Sequence, residues 1–329
     1  MACDGRISPP SASSLRMPED ESVQSWRGYD VAPNPEDYQQ VTINMAASSG
    51  TWLITGASSG LGKSLALAAL KAGHKVIGTT RDVGRAEKSC PDFSTEGGIW
   101  IQVDPAQKDA YYLFAKCAQE HDVDVLVNNA GYAFIGGVED TSETDVRGQM
   151  EVNFYGPLRA VRACLPVLRA KGAGHVILIS SGAGFIARPG RGTYSASKFA
   201  IEAMHESLSY EVKDLGIKVL IVEPGAFRTP FASRVLTPTQ FEHGFSEGYK
   251  DTVLQQMVTA HRSIKSIPDQ FRGDPEKAAR AILSAVAAGY EYLRLPLGAD
   301  CVAALEDKIG QLQRDLDATR AIATATDVD

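Results

Sequence analysis

Tyr194 and Lys198 stand four residues apart in Tyr194-Ser195-Ala196-Ser197-Lys198, and Ser181 precedes that tyrosine by thirteen. Four residues on a helix is about one turn, so the phenol and the ammonium share a face. Far upstream, Thr55-Gly56-Ala57-Ser58-Ser59-Gly60-Leu61-Gly62 follows a short apolar run. Glycines between a strand and a helix allow a tight turn and a close approach of backbone to a pyrophosphate, which the helix N-terminus favours electrostatically. A dinucleotide cradle combined with a phenol, an ammonium and a hydroxyl points to hydride transfer at a carbonyl or alcohol carbon.

A free tyrosine titrates near pH 10, too high to exchange protons readily at neutrality. A unit positive charge ~4 Å away is worth about 4 kcal/mol at an effective dielectric of 20, or roughly three pKa units before screening. Lys198 is therefore expected to lower the Tyr194 pKa. Taken singly these signals are weak, because a Tyr-x-x-x-Lys helix arises by chance and an isolated Ser or Asn at an element end is usually a cap.

In the glycine turn, Gly56 permits the bend, Gly60 admits the pyrophosphate, and Gly62 lets the next helix pack closely on the sheet. Residues Ala57–Ser64 also read as an incomplete phosphate-binding loop of the NTPase kind, with Asp104 as its acidic partner. That reading needs glycine at position 57 and leaves Tyr194 and Lys198 without a task. The second strand ends Gly78-Thr79-Thr80-Arg81. Thr80 stands where a carboxylate would hold the adenosine ribose, and the Arg81 guanidinium suits a 2′-phosphate, so NADP(H) is expected over NAD(H). The bland reading of Arg81 is a solvent-facing side chain. Asp104 is placed to meet the adenine edge, and small residues around Asn129 and Gly131 to leave room for cofactor against backbone.

These groups must be positioned by alternating strands and helices. Strands are expected at Trp52–Thr55, Lys75–Thr80, Ile99–Val103, Val123–Val127, His175–Ser180, Lys218–Val222 and Tyr290–Leu295, several as continuous apolar runs typical of strands covered on both faces. Helices are expected near 61–72, 107–121, 142–170, 194–215 and 275–288. The fold class is α/β: a Rossmann-type doubly wound parallel sheet of about seven strands with helices on both faces. Residues 50–329 form its single domain. An insertion after the sixth strand, 231–274, breaks the alternation with prolines and scattered aromatics and is read as a substrate lid, the alternative being a surface helix pair with its own small core. From Ala299, residues Val302, Leu305, Ile309, Leu312 and Leu316 draw one apolar stripe along a C-terminal helix over 299–318, expected to pack on its own domain rather than on a second chain. Residues 1–49 are polar, without periodicity, and are expected to be disordered; Met45 offers a second start.

The chain has 329 residues, 44% of them hydrophobic, and a net charge of −7. That charge supplies no basic footprint for nucleic acid. Five scattered cysteines without a Cys-x-x-Cys pair fit free thiols in a reducing compartment, with Cys164 as a core residue. No histidine cluster suggests a metal, no apolar run reaches the ~20 residues of a membrane span, and no secretory leader is visible. A cytoplasmic protein is expected.

The turn Thr55–Gly62, Asn128-Asn129-Ala130-Gly131, Asn153, Ser181, Tyr194-Ser195-Ala196-Ser197-Lys198 and Pro224-Gly225 together resemble the short-chain dehydrogenase/reductase family over about residues 51–296. Residues 222–229 and the Leu295-Pro296-Leu297-Gly298 tail look like its single-domain, NADP-preferring carbonyl reductases. The resemblance implies that Tyr194 donates the proton, Ser181 hydrogen-bonds the reacting oxygen, and Lys198 holds the nicotinamide ribose. It further implies that Asn153 supports a water chain from Lys198. Gly225, Phe227 and Thr229 would fix the carboxamide, while Ser58, Ser59 and Leu61 complete the phosphate cradle. Helices 142–170 and 194–215 would pair in a homodimer or homotetramer.

The expected activity is NADPH-dependent reduction of a ketone or aldehyde, reversible, on a bulky and largely apolar small molecule, with Phe185, Phe227, Phe231 and the lid near the site. The rival is a non-catalytic NADP-binding redox regulator on the same fold.

Overall fold

A computed structural model describes residues 49–328 apart from 265, 268 and 269. The expected disordered extension and the second start at Met45 therefore fall almost wholly outside the described residues.

Seven strands form one parallel sheet: β1 Thr51–Ile54, β2 Lys75–Thr80, β3 Ile99–Gln102, β4 Val125–Asn128, β5 Gly174–Ile179, β6 Ile217–Pro224 and β7 Arg294–Leu297, in the spatial order β3-β2-β1-β4-β5-β6-β7. The order reverses between β1 and β4, so a crevice opens there beyond the carboxyl ends of the strands. Around the sheet lie α1 Gly60–Lys71, α2 Val83–Ser89, α3 Pro91–Thr95, α4 Ala110–His121, α5 Glu143–Met150, α6 Gly156–Lys171, α7 Gly192–Val212, α8 Val253–Ser263, α9 Pro275–Ala288 and α10 Ala299–Thr324.

The continuous apolar strands are explained by two cores. Trp52, Ile54, Val127, Ile177 and Val222 pack against Leu65 and Ala69 of α1 and Ile282 and Leu283 of α9. Their neighbours Leu53, Leu126, Val176 and Val219 face the other way, against Phe114 of α4, Leu168 of α6 and Leu208 of α7. Alternate side chains thus serve opposite faces, and both faces are dry. Cys164 is buried and free in the second core, as are Cys90, Cys117 and Cys301 in their own places. Burial pushes the Cys117 thiol up to about 12, and Cys164 is raised by the same cause.

The expected long helix over 142–170 is interrupted at its centre. Residues Glu151–Tyr155 form a π-helical turn that joins α5 to α6 and carries Asn153, buried, on its inner side. Such widened turns often mark functional positions.

Two expectations need correction. β7 begins at Arg294 rather than at Tyr290; Tyr290 is a buried core residue whose hydroxyl lies 3.2 Å from His175 Nδ1. The C-terminal stripe packs on its own domain only near its start, where Leu305 is half-buried. Cys301 is the one buried residue of α10, whereas Val302, Ile309, Leu312 and Leu316 are between 40% and 54% exposed. The 3-4 spacing fixed a helix face and left open what would cover it. Among the described residues, no helix is long and apolar enough to cross a membrane.

Candidate active site

Thr55 directly follows β1, and its hydroxyl accepts the backbone N–H groups of Asn129 (2.9 Å) and Ala130 (3.0 Å), stitching the turn after β1 to the turn after β4. The Asn129 side chain returns the favour: Nδ2 donates to the carbonyls of Thr55 (2.8 Å) and Gly56 (3.2 Å). Gly56 and Gly60 have φ of +66° and +58°, the left-handed region that a side chain disfavours. Gly62 is required for a different reason from the one expected. A Cβ there would collide with the Asn129 amide and stand 2.7 Å from the Gly56 carbonyl oxygen, so the glycine makes room for the clasp rather than for helix-on-sheet packing. Ser58, Ser59 and Leu61 line the same turn. Ser59 begins α1 without a side-chain cap bond, which leaves the first N–H groups facing out of the helix end.

Arg81, just past β2, is exposed, while Asp82 is committed to capping α2 through the Arg85 N–H (2.9 Å). Asp104 is half-buried, and one of its carboxylate oxygens accepts the Ala106 N–H at 3.1 Å. On the far side of the crevice, Gly225 donates to the Leu297 carbonyl (2.8 Å), and Ala226 donates to the Asp300 carboxylate (2.8 Å). Phe227 is bridged to Gly273, and the buried Thr229 comes to the glycine turn, its Cβ 3.5 Å from where a Cβ on Gly60 would stand.

The groups expected to react lie beyond β5. Ser181 accepts the Ala183 N–H (3.1 Å) and lies near enough to the Tyr194 phenol to oppose the rise of its pKa. On α7 the buried face reads Tyr194, Ser197, Lys198, Ile201, Glu202, His205 and Leu208, a helical stripe that is largely polar. Lys198 Nζ donates to the Ile179 carbonyl at 2.9 Å, and burial pulls its pKa down to about 8. Asn153 Nδ2 donates to the Tyr132 carbonyl (3.0 Å) and Ser197 Oγ (3.1 Å), while its Oδ1 accepts the Tyr132 N–H (3.2 Å). Gly131 lies between them: a Cβ there would be 3.2 Å from Asn153 Oδ1 and 3.9 Å from Lys198 Nζ.

The expected pKa relationship is corrected. Burial raises the Tyr194 pKa, opposed by Ser181 and by the positive charge of Arg191. Lys198 is not among these causes; its ammonium is held by the Ile179 carbonyl at the end of β5. One helical turn of separation places two Cβ atoms together and says little about two flexible tips.

Residues 51–239 match the model of the short chain dehydrogenase family. The chain belongs to that family. The oxidoreductase claN of Passalora fulva is 48% identical over 211 residues, covering 64% of this chain and 96% of that protein. The 3-ketodihydrosphingosine reductase of Bacteroides thetaiotaomicron is 36% identical over 253 residues, 75% of this chain and 87% of that one. A crystal structure of a short-chain dehydrogenase from Streptomyces avermitilis superposes with a TM-score of 0.73 at 37% identity, covering 85% of this chain and all of that one. This short-chain dehydrogenase is accordingly an oxidoreductase acting at the CH–OH/C=O level.

Sequence reasoning missed a charged cluster near Lys198. Arg294 of β7 binds Glu202, Glu223 (2.7 Å) and Glu206 (2.8 Å), and Ser180 donates to the Glu202 carboxylate. Glu202 and Glu223 are almost fully buried. Glu202 lies one turn after Lys198, and Glu223 interrupts an apolar strand; both were visible signals. Among the described residues, no group of histidines, cysteines or carboxylates is arranged to hold a metal ion.

Proposed function

We propose that this protein reduces a ketone or aldehyde to the alcohol with NADPH, reversibly, on a bulky and largely apolar small molecule. The observation that carries the reading is the buried face of α7 that brings Tyr194 and Lys198 to the carboxyl end of the sheet, with Ser181 near the phenol, beside the crevice that the glycine turn opens. The residues fit a nicotinamide dinucleotide. The open N-terminus of α1 and the clasped turn suit its diphosphate, exposed Arg81 suits a 2′-phosphate, and the small Gly131 leaves space between Asn153 and Lys198.

A bound nicotinamide supplies the hydride to the carbonyl carbon. Tyr194 holds the proton on its hydroxyl and delivers it to the oxygen, while Ser181 orients that oxygen and stabilises the charge it gains. Burial keeps the phenol protonated, which suits a proton donor in the reductive direction. Lys198, fixed by the Ile179 carbonyl, would hold the nicotinamide ribose, and Asn153, fixed by Tyr132 and Ser197, would support the route by which Tyr194 is reprotonated.

An apolar substrate is supported by the side chains over the phenol: Phe231, with ring centroids 6.1 Å from Tyr194, and Val235, which packs with Ala133 and Ala183. The Bacteroides relative is named for reduction of a 3-keto compound, which agrees with a ketone substrate. The segment 231–274 serves as the lid. Exposed aromatics on the π turn and α7 (Tyr155, Phe199 and Tyr210) support pairing of these helices in a homodimer or homotetramer, and four buried free thiols suit the reducing cytoplasm.

The test is NADPH oxidation against a panel of carbonyl compounds. Tyr194→Phe should lower turnover by roughly 10²–10⁴-fold while keeping NADPH affinity. Wild-type protein that binds NADPH yet turns over nothing across a broad panel would replace this reading with a cofactor-sensing regulator.

A further inference from the structure

The residues after β6 run across the mouth of the crevice as a strap held at both ends. At one end Phe231 lies beside the Tyr194 ring. At the other, Leu236 donates its N–H to the Ala133 carbonyl (3.0 Å) and its own carbonyl accepts the Ile135 N–H (2.8 Å). Between them is Arg234, exposed to solvent, whose guanidinium crosses to the glycine turn: Nη1 donates to Ser59 Oγ at 3.0 Å. Thr229 approaches the same turn at Gly60. The lid thus brings a permanent positive charge to the N-terminal end of α1, where the backbone already presents N–H groups.

We infer that Arg234 is a diphosphate-binding residue supplied by the lid, so that holding the dinucleotide and seating Phe231 over Tyr194 are one event. This rests on the nucleotide-binding function proposed above. A guanidinium is a planar fork of five donors suited to phosphate oxygens, and one neutral hydroxyl at the surface uses little of that capacity. Lys63, on the first turn of α1, is turned elsewhere, donating to the Ser89 carbonyl at 3.1 Å. Arg81 stands past the end of β2 rather than at the mouth of the turn. The two arginines therefore answer to different parts of the cofactor. Arg81 suits the 2′-phosphate that only NADP(H) carries, whereas Arg234 suits the diphosphate common to both dinucleotides.

Calorimetric titration of the full chain with NADPH and with NADH separates these roles without reference to turnover. Arg234→Ala should weaken both nucleotides by a similar factor, about tenfold, and Arg234→Lys should recover part of the loss. Arg81→Ala should weaken NADPH alone. Because Arg234 is exposed, its variants should melt with wild-type protein, which circular dichroism verifies. At saturating NADPH, cleavage by thermolysin near Phe231 should be suppressed in wild-type protein and persist in Arg234→Ala. The inference is overturned if Arg234→Ala leaves both affinities unchanged, weakens NADPH only, or gains full protease protection at saturation. If wild-type protein binds neither dinucleotide, the functional reading itself fails, a result distinct from any failure of Arg234.

Discussion

The amide of Asn129 occupies the space that a side chain on Gly62 would need. Two elements separated by 67 positions, the first turn of α1 and the loop after β4, are thereby made mutually dependent. Asn129 spends both hydrogens of Nδ2 on the carbonyls of Thr55 and Gly56, so the phosphate turn is shaped by a residue outside it.

Gly62→Ala should therefore act through Asn129. The added methyl forces the amide off two partly buried carbonyls, and leaving such groups unsatisfied costs about 1–3 kcal/mol. Urea denaturation should show a loss in that range, with nucleotide affinity reduced as well. Asn129→Ala should reproduce the affinity loss, and the double variant should cost less than the sum of the two.

Arg294 is the one cation within salt-bridge distance of Glu202, Glu223 and Glu206 among the described residues, with Lys198 acting on Glu202 from farther away. Removing one partner of a buried ionic cluster strands the others without compensation, at about 3–5 kcal/mol. Arg294→Met should lower the melting temperature more than any single carboxylate-to-amide change in the cluster. Differential scanning calorimetry checks the order.

Glu223 gives the cluster a pH signature. Burial, reinforced by the nearby charge of Glu202, pushes its carboxyl up to about 7, with Arg294 acting in the opposite sense. A group whose folded pKa exceeds its unfolded value contributes stability that is complete below the unfolded pKa, near 4.5 here, and fades as pH rises through the folded one. His175 and His205, both pushed down to about 4 by burial, impose the opposite slope between their unfolded value of 6.5 and pH 4. Comparing wild-type protein with Glu223→Gln isolates the carboxylate. The stability difference should turn in favour of the variant as pH rises from 4.5 to 7.5, by on the order of 1–3 kcal/mol. A difference independent of pH would show that Glu223 titrates normally.

The sheet was legible because strands covered on both faces must be apolar at every position, and such runs stand out between amphipathic helices. Tyr194, Lys198 and Ser181 were legible as candidates because their types and spacing resemble the family's pattern. What lay hidden depends on long-range convergence. Arg294 meets Glu202 across 92 positions of sequence, and nothing local in either segment announces the other. The start of β7 was misplaced because Tyr290-Glu291-Tyr292-Leu293 alternates as a strand does. The true strand contains Pro296, which the outermost position of the sheet tolerates. Arg234 sits in a stretch without periodicity, where sequence alone cannot aim a side chain. The tip of Lys198 escaped for a related reason, since its helix position fixes the stem and the end of β5 captures the ammonium.

The π turn at Glu151–Tyr155 amounts to one surplus residue wedged into an otherwise regular coil. Because the wider turn absorbs that residue, α5 and α6 present the faces they would share in an unbroken coil. Deleting one of these five would relax the coil to ordinary pitch and leave Leu168 and Cys164 in their core, while Asn153 would lose its grip on the Tyr132 backbone. The surplus residue thus serves the placement of Asn153 rather than the packing of the domain, although the segment would pass for plain helix in any alignment of hydrophobic residues.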